Sequence, residues 1–273
     1  MSKSYTLNEL LIIAIAKEIH DYENAVLGVG IPMTSGALAK ALFAPHATLM
    51  MESGIIDFEP TVPLNHIADC LSCRGFSFST DLFSAFTMTY RGFVDVCFLG
   101  VAQVDKYGNL NTTVIGDYYN PTMRLPGSGG AADFISYAKR TILTMRSGEF
   151  VEKLLYRTSP GYLDGGDSRD RSGHFPQGTG PTKLISTQGI FEFDPTTKEI
   201  YLAKVHPGVS VDKIRKKVPW DLKISPDLTE TERPTDDEIN FIRHFAPSES
   251  AGKSIAVELA IAKMTKRAQS VQA

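Results

Sequence analysis

Glu52 is the residue whose type and position best suit a chemical role. It directly follows residues 48–51, an apolar stretch typical of a buried strand, and it precedes Ser53 and Gly54. Open α/β sheets bind ligands at the carboxyl ends of their parallel strands, so a carboxylate there stands where a ligand would bind. Gly54 would leave room for a substrate. On position alone, the alternative of a surface carboxylate in a strand-to-loop turn stays open.

Two glycine-rich turns could supply backbone N–H groups to such a site. One is Gly127-Ser128-Gly129-Gly130-Ala131, which runs into a predicted helix, and the other is Gly28-x-Gly30, which follows a predicted strand. Glycines let N–H groups converge on an anion or a carbonyl oxygen. Neither turn matches the dinucleotide fingerprint or the phosphate-binding loop. A flexible turn without chemical function therefore remains the alternative for each.

The other reactive residue types indicate no further site. Cys70 and Cys73 form one C-x-x-C pair, which cannot complete a tetrahedral zinc site. The six histidines are scattered without metal-binding spacing, and the G-x-S-x-G elbow of serine hydrolases does not occur. The four basic residues within 213–217 are typical of the solvated face of a short helix. We therefore predict no metal site.

The composition is that of an ordinary globular protein. Of the 273 residues, 42% are hydrophobic and 22% are charged, which argues against intrinsic disorder. A net charge of −3 disfavours a nucleic-acid binder, because that function needs a basic face. The longest apolar run, residues 10–16, is far shorter than the roughly 20 residues of a membrane-spanning helix, and it favours an amphipathic helix over a signal peptide. Because three cysteines make no disulfide framework, we expect a cytoplasmic protein that is not bound to a membrane.

Helices and strands alternate along most of the chain. The capping box Thr6-x-x-Glu9 begins a helix, and Ser35 begins a second one between the predicted strands 25–28 and 48–51. Further strands are predicted over 94–101, 141–145 and 154–158, with a helix over 132–138 and one long loop over 161–181. This alternation predicts an α/β fold with an open, mostly parallel sheet and helices on both of its faces.

The last third of the chain has a different pattern. Short alternating strands over 184–186, 189–193 and 199–205 predict a small antiparallel annex near the C-terminus. Thr235-x-x-Glu238 is a second capping box, which begins a helix that reaches Phe245. We assign residues 1–247 to one α/β domain and residues 248–273 to a helical extension or tail, with an amphipathic segment over 254–267.

Taken together in this order, Glu52 and the two glycine turns resemble the β-subunits of the class I coenzyme A transferases. The catalytic glutamate of that family stands before x-Gly and two hydrophobic residues, here Glu52-Ser53-Gly54-Ile55-Ile56. The similarity covers residues 6–246 and includes segments 100–105, 107–109, 116–118 and 158–165, Arg124 and the hairpin 189–202. Acetate and 3-oxoacid transferases carry Glu-Asn-Gly, so Ser53 favours the glutaconate-type branch.

The resemblance implies a reaction and a partner. Glu52 would attack the carbonyl of an acyl-CoA thioester, give a mixed anhydride and then a glutamyl-CoA thioester, and the steps would reverse with a second acid. The implied acceptor is a short carboxylic acid, such as the dicarboxylate glutaconate. The implied partner is a homologous α-subunit, and coenzyme A enters as a substrate rather than as a bound cofactor. The implied oxyanion or CoA-binding residues are Gly28, Val29, Gly30, Ser53, Gly54, Gly127, Gly129, Gly130 and Ala131.

Two other functions remain open. Relatives that use the same scaffold for thioester hydrolysis, ring opening or decarboxylation generally lose or replace the nucleophilic glutamate, so the presence of Glu52 favours transfer. A structural subunit without chemistry would need neither Glu52 nor the glycine loops. Arg74, Arg91 and Arg124 are candidate cations for the distal carboxylate of a dicarboxylic acid, with the α-subunit as the alternative source of that contact.

Overall fold

The computed structural model describes residues 4–28, 30–64 and 66–250. The helices are α1 (Leu7–Ala16), α2 (Ile31–Leu42), α3 (Leu82–Tyr90), α4 (Ala131–Tyr137), α5 (Ser168–Arg171), α6 (Val211–Arg215), α7 (Asp236–Phe245) and α8 (Pro247–Ser250), with a 3₁₀ helix over Cys70–Cys73. The strands are β1 (Asn24–Val26), β2 (Thr48–Met50), β3 (Ile55–Ile56), β4 (Phe78–Ser79), β5 (Val96–Gly100), β6 (Gln103–Val104), β7 (Leu110–Asn111), β8 (Val114–Gly116), β9 (Pro121–Arg124), β10 (Arg140–Met145), β11 (Glu149–Phe150), β12 (Pro181–Ser186), β13 (Gly189–Phe193), β14 (Ile200–Val205) and β15 (Lys223–Glu230).

A ten-stranded sheet forms the centre of the described chain, in the order β15-β14-β13-β12-β10-β5-β1-β2-β3-β4. Its five middle strands, from β12 to β2, are parallel. Antiparallel pairs follow on both sides, β12–β13–β14 on one and β2–β3–β4 on the other, and β15 pairs parallel with β14. The prediction of an open, mostly parallel sheet is thereby confirmed. The antiparallel hairpin near the C-terminus is also present, although it continues the main sheet rather than standing apart from it.

Helices cover both faces of this sheet, because successive strand residues point to opposite sides. Phe98 and Ile142 belong to the buried cluster that α1 and α2 complete, whereas Leu99 and Leu143 belong to the cluster that α4 and α6 complete. Strands buried on both faces read as continuous apolar runs, as β5 does. The carboxyl ends of the parallel strands are thus left as the open edge where a ligand can enter.

Both capping boxes read from the sequence are present. The Glu9 N–H donates to Thr6 Oγ1 at 3.1 Å, and the Thr6 N–H donates to Glu9 Oε2 at 2.7 Å. Thr235 and Glu238 make the same reciprocal pair at the start of α7. Each box satisfies two of the N–H groups that a helix start leaves without partners, so local chemistry fixes where these helices begin.

One helix boundary and one strand predicted from the sequence were wrong. The second helix begins at Ile31 rather than at Ser35, with Gly30 as its N-cap and a proline in its first turn, a position that suits the fixed φ of proline. Residues 154–158 do not form a strand: Leu155 is 71% exposed, and the Thr158 N–H donates to the Leu110 carbonyl at 2.8 Å. An apolar pair followed by Tyr and Arg gives the same short signal in a loop as in a strand.

The long loop predicted over 161–181 contains the short helix α5 and is anchored from within. Arg169, only 3% exposed, donates to the carbonyls of Pro160, Gly161, Ile135 and Ser136. A buried guanidinium needs such partners, because leaving it without them would carry a large desolvation cost. Arg169 therefore ties this loop to the end of α4, which lies beside the candidate site.

Across the part of the chain that the structure describes, none of the helices has the length and apolarity that crossing a membrane requires. The cytoplasmic location stays a prediction. Of the proposed C-terminal extension, Ser250 is the last described residue, so the amphipathic segment predicted over 254–267 lies outside the described residues.

Candidate active site

Glu52 lies just beyond the carboxyl end of β2, as the sequence predicted. Val26 of β1 pairs with Met50 of β2, so Gly28 and Glu52 each stand two residues past a matched pair and at the same level of the sheet. Gly54 has a φ of +98° and crosses the chain closely at Thr80, where a Cβ would overlap the Thr80 carbonyl oxygen. Only glycine fits this crossing, which brings Asp81, the N-cap of α3, against the turn that follows Glu52.

The glycine loop before α4 reaches the Glu52 carboxylate. The backbone N–H of Gly130 donates a hydrogen bond to it. A Cβ placed on Gly130 would lie 2.5 Å from Glu52 Oε2, and one on Gly129 would lie 4.0 Å from Oε1. The structure therefore brings together the carboxylate and the glycine loop, which are 78 positions apart in sequence.

A cavity of about 420 Å³ opens beside this contact. It is lined by residues 26–28 and 98–100 at the ends of β1 and β5, by Glu52, Ile67 and Phe134, and by residues 126–131 of the glycine loop. Most of this lining is apolar side chain or backbone, as in typical small-molecule sites. The described lining residues include no lysine or arginine, so Arg74, Arg91 and Arg124 do not contribute to this wall.

The backbone N–H groups of the predicted oxyanion residues are not equally available. Those of Gly54, Gly127 and Ala131 donate to the carbonyls of Met51, Thr112 and Ser128, at 3.0, 2.8 and 2.9 Å. Gly130 donates to Glu52 itself. Gly28 and Gly129 find no acceptor for their N–H groups among the described residues. Both residues line the cavity beside Glu52, which makes their N–H groups candidate donors to a bound molecule.

The remaining predicted residues have distinct places. Gly30 takes φ +82° and ψ −133° as the N-cap of α2, a conformation open mainly to glycine. The Ser53 hydroxyl oxygen is buried and has no hydrogen-bond partner within the described chain. Val29 lies outside the described residues.

Two further groups, which sequence reasoning missed, hold the glycine loop in place. Phe86 of α3 stacks on Phe134 of α4 with ring centroids 5.1 Å apart, and a Cβ on Gly130 would meet both rings at 2.7 Å. Tyr90 of α3 donates its hydroxyl proton to Asp133 of α4. Asp81 caps α3 by accepting from the Ser84 N–H. An Asp directly before the apolar residues Leu82 and Phe83 was the signal for this helix.

Burial raises the pKa of the Glu52 carboxyl above its ordinary value. The Gly130 N–H opposes that shift by bonding to the ionised form, and the negative charge of Asp133 adds to the upward shift. Desolvation and a like charge both disfavour an ionised carboxylate. The nucleophile is thus half-buried, with one backbone donor directed at it.

Replacing Asp133 by Asn should lower the pKa of Glu52, because the like charge that raises it is removed. The rate of Glu52 modification by an acyl-CoA should then remain high to a lower pH than in the wild type. The measurement is the pH at which that rate falls to half on the acid side. Tyr90→Phe is the control, since it removes the hydroxyl bonded to Asp133 but keeps the charge. If this half-rate pH is unchanged or higher in Asp133→Asn than in the wild type, the electrostatic role of Asp133 is contradicted.

The cysteines read as a C-x-x-C pair are free thiols on the surface. Cys70 and Cys73 are exposed on their 3₁₀ helix, while Cys97 is buried in β5. Among the described residues, no group of three or more His, Cys, Asp or Glu is placed to hold a metal ion.

Comparison with known proteins shows the family. The model of the coenzyme A transferase family matches residues 8–217. The chain is 35% identical over 250 residues to the β-subunit of 3-oxoadipate CoA-transferase from Pseudomonas knackmussii, covering 88% of this chain and 93% of that one. It is 34% identical over 253 residues to the β-subunit of glutaconate CoA-transferase from Acidaminococcus fermentans, covering 88% and 92%.

A solved structure gives the same result. The crystal structure of glutaconate coenzyme A-transferase from Acidaminococcus fermentans superposes with a TM-score of 0.83 and 32% identity, covering 90% of this chain and 96% of the other. The chain therefore belongs to the coenzyme A transferase family of enzymes. The resemblance read from the residues around Glu52 is confirmed.

Proposed function

We propose that this chain is the nucleophile-bearing β-subunit of a transferase that moves coenzyme A from an acyl-CoA to a short carboxylic acid. The observation that carries the proposal is the Glu52 carboxylate at the open edge of the sheet, held by the Gly130 N–H and facing a cavity of about 420 Å³. A glutamate is ionised near neutral pH and needs no general base to attack a carbonyl.

The reaction begins when a Glu52 oxygen attacks the thioester carbonyl carbon. The carbon–sulfur bond then breaks, coenzyme A leaves as a thiolate, and a mixed anhydride joins Glu52 to the acyl group. The N–H groups of Gly28 and Gly129, which have no partner in the described chain, are the candidate donors to the oxyanion of this step. In other enzymes the loss of one such donor costs about 2.7–4 kcal/mol.

In the second step the thiolate attacks the carbonyl carbon of Glu52 in the anhydride. The bond from that carbon to the acyl oxygen breaks, the first acid leaves as a carboxylate, and Glu52 carries coenzyme A as a thioester. Negative charge now develops on an oxygen of Glu52 itself. The Gly130 N–H already bonds to this carboxylate, so it is placed to stabilise that charge without reorganisation. The second acid reverses both steps and leaves as its CoA thioester.

The acceptor that we favour is a short dicarboxylate. The two β-subunit relatives carry glutaconate and 3-oxoadipate in their names, and both molecules are dicarboxylates. A distal carboxylate is best held by a cation or by several hydrogen bonds. Since the described lining offers neither lysine nor arginine, we place that contact on the partner, a homologous α-subunit that completes the cleft.

We expect this chain alone to show little transfer and the assembled two-subunit enzyme to show full turnover. The measurement supplies acetyl-CoA and a panel of acids, namely glutaconate, 3-oxoadipate, succinate, acetate and butyrate, and follows formation of each new CoA thioester. The dicarboxylates should react fastest. Each of the two chains alone, at the same concentration, is the control.

Three results would count against this function. Full turnover by the isolated chain would remove the need for a partner. Release of free coenzyme A from acetyl-CoA without any new thioester would indicate a hydrolase. Equal rates with acetate and with the dicarboxylates would refute the dicarboxylate preference while leaving the transferase reaction intact.

A further inference from the structure

The end of the described chain is fastened to the start of two helices. On α8, Ser250 Oγ donates to Glu9 Oε1 of α1 at 2.7 Å, and the Ser250 carbonyl accepts from Thr6 Oγ1 at 3.1 Å. The neighbouring Glu249 reaches α2 instead, where its Oε2 accepts from Thr34 Oγ1 at 2.5 Å. Adjacent residues of α8 thus contact two different helices, α1 and α2, and only α2 adjoins the candidate site.

Glu249 lies against the N-terminal turn of α2. It is 4% exposed, and a Cβ on Gly30 would lie 3.8 Å from its Oε1. Gly30 is the N-cap of this twelve-residue helix and makes no side-chain capping bond. A helix N-terminus carries partial positive charge and unpaired N–H groups. Burial raises the pKa of the Glu249 carboxyl, and the bond from Thr34 and the charge of Arg146 oppose that shift. In its ionised form the carboxylate supplies negative charge at the place where the helix itself has no capping side chain.

This contact adjoins the catalytic cavity through a short connection. Gly28 lines the cavity beside Glu52, and Gly30 follows it two residues later with a positive φ of +82°. Gly28 and Gly30 have no side chains that could fix the backbone path at these two positions. A group outside the connection can therefore contribute to its geometry, and the Glu249 carboxylate lies beside Gly30 at the α2 end of the connection.

We propose that Glu249 is a positioning residue that holds the connection between β1 and α2, and with it the N–H of Gly28, in the geometry that acyl transfer to Glu52 requires. The segment after α7 thereby takes part in shaping the acyl-CoA site, although it lies beyond residues 8–217 that the family model matches. The inference rests on the proposed function, because Glu52 modification is what it controls.

The test compares Glu249→Gln with wild type in the assembled two-subunit enzyme. Gln keeps the volume and can still accept from Thr34, but it removes the negative charge beside Gly30. We expect the rate of coenzyme A attachment to Glu52 to fall roughly tenfold or more, since a misplacement of about 1 Å can cost ~100-fold. KM for acyl-CoA and the melting temperature should change little. Glu249→Asp keeps the charge on a shorter arm and should recover part of the rate.

Ser250→Ala is the matched control on the same helix. It removes the bond to Glu9 and leaves the Glu249 contact to α2, so it should lower the melting temperature but leave the rate per folded enzyme unchanged. A wild-type rate in Glu249→Gln would overturn the inference, as would equal slowing by Ser250→Ala, which would show general anchoring. If wild type itself acquires no coenzyme A on Glu52, the proposed function fails instead, so the two failures are distinguishable.

Discussion

Glu52→Gln should abolish both coenzyme A transfer and the covalent intermediate. The amide is nearly isosteric but not nucleophilic, so the anhydride cannot form. The measurement incubates the assembled enzyme with acyl-CoA and no acceptor, then treats it with borohydride, which reduces a glutamyl thioester to an alcohol. Mass spectrometry of the peptide around Glu52 should show the reduced residue in wild type and not in the variant. Activity should be lost to borohydride only when acyl-CoA was present.

Glu52→Asp should fail almost as completely, for a geometric reason. The shorter side chain withdraws the carboxylate by about one methylene from the position where Gly130 bonds to it, and a displacement of ~1 Å can reduce a rate ~100-fold. Glu59→Gln is the control, because Glu59 is an exposed carboxylate in the next segment of the chain and should keep full activity. Persistent transfer in Glu52→Gln, or a trapped adduct at another residue, would exclude Glu52 as the nucleophile.

The position of Glu52 could be predicted because it depends on local pattern and on sheet geometry. A short apolar strand that ends in a carboxylate and a glycine places that carboxylate at the open edge, once the sheet is parallel. The capping boxes at Thr6 and Thr235 are predictable for a similar reason, since each is complete within four residues. Features that depend on short stretches of chain are thus accessible from the sequence.

The availability of backbone donors could not be predicted in the same way. Gly127, Gly130 and Ala131 look alike in a glycine-rich loop, yet their N–H groups bond to Thr112, to Glu52 and to Ser128, respectively. Which donor stays free depends on which distant segment packs against the loop. The contacts of α3 with α4, from Phe86 to Phe134 and from Tyr90 to Asp133, also join residues more than 40 positions apart. Tertiary packing, rather than propensity, decides them.

Gly130→Ala should remove nearly all activity while leaving the protein folded. Gly130 has a φ of −78°, which any residue can adopt, so the effect arises from space rather than from backbone strain. The new Cβ would lie 2.5 Å from Glu52 Oε2 and 2.7 Å from the rings of Phe86 and Phe134. The carboxylate and the rings must move apart, and we expect a loss of about 100-fold or more in Glu52 modification. Overpacking of this kind costs roughly 1–3 kcal/mol of stability, or several degrees in melting temperature.

Gly129→Ala tests a glycine that is required for its backbone conformation, whereas Gly130→Ala tests one that is required for the space beside it. Gly129 has a positive φ of +50°, but a Cβ there would stand 4.0 Å from Glu52 Oε1, an ordinary contact distance. An alanine at that φ costs roughly 1–2 kcal/mol and should lower the melting temperature about as much as Gly130→Ala does. Its loss of activity should nevertheless be much smaller, because the carboxylate keeps its place. If the two variants lose activity in proportion to stability, the loop is a plain turn, and the Gly130 N–H has no specific role in holding the nucleophile.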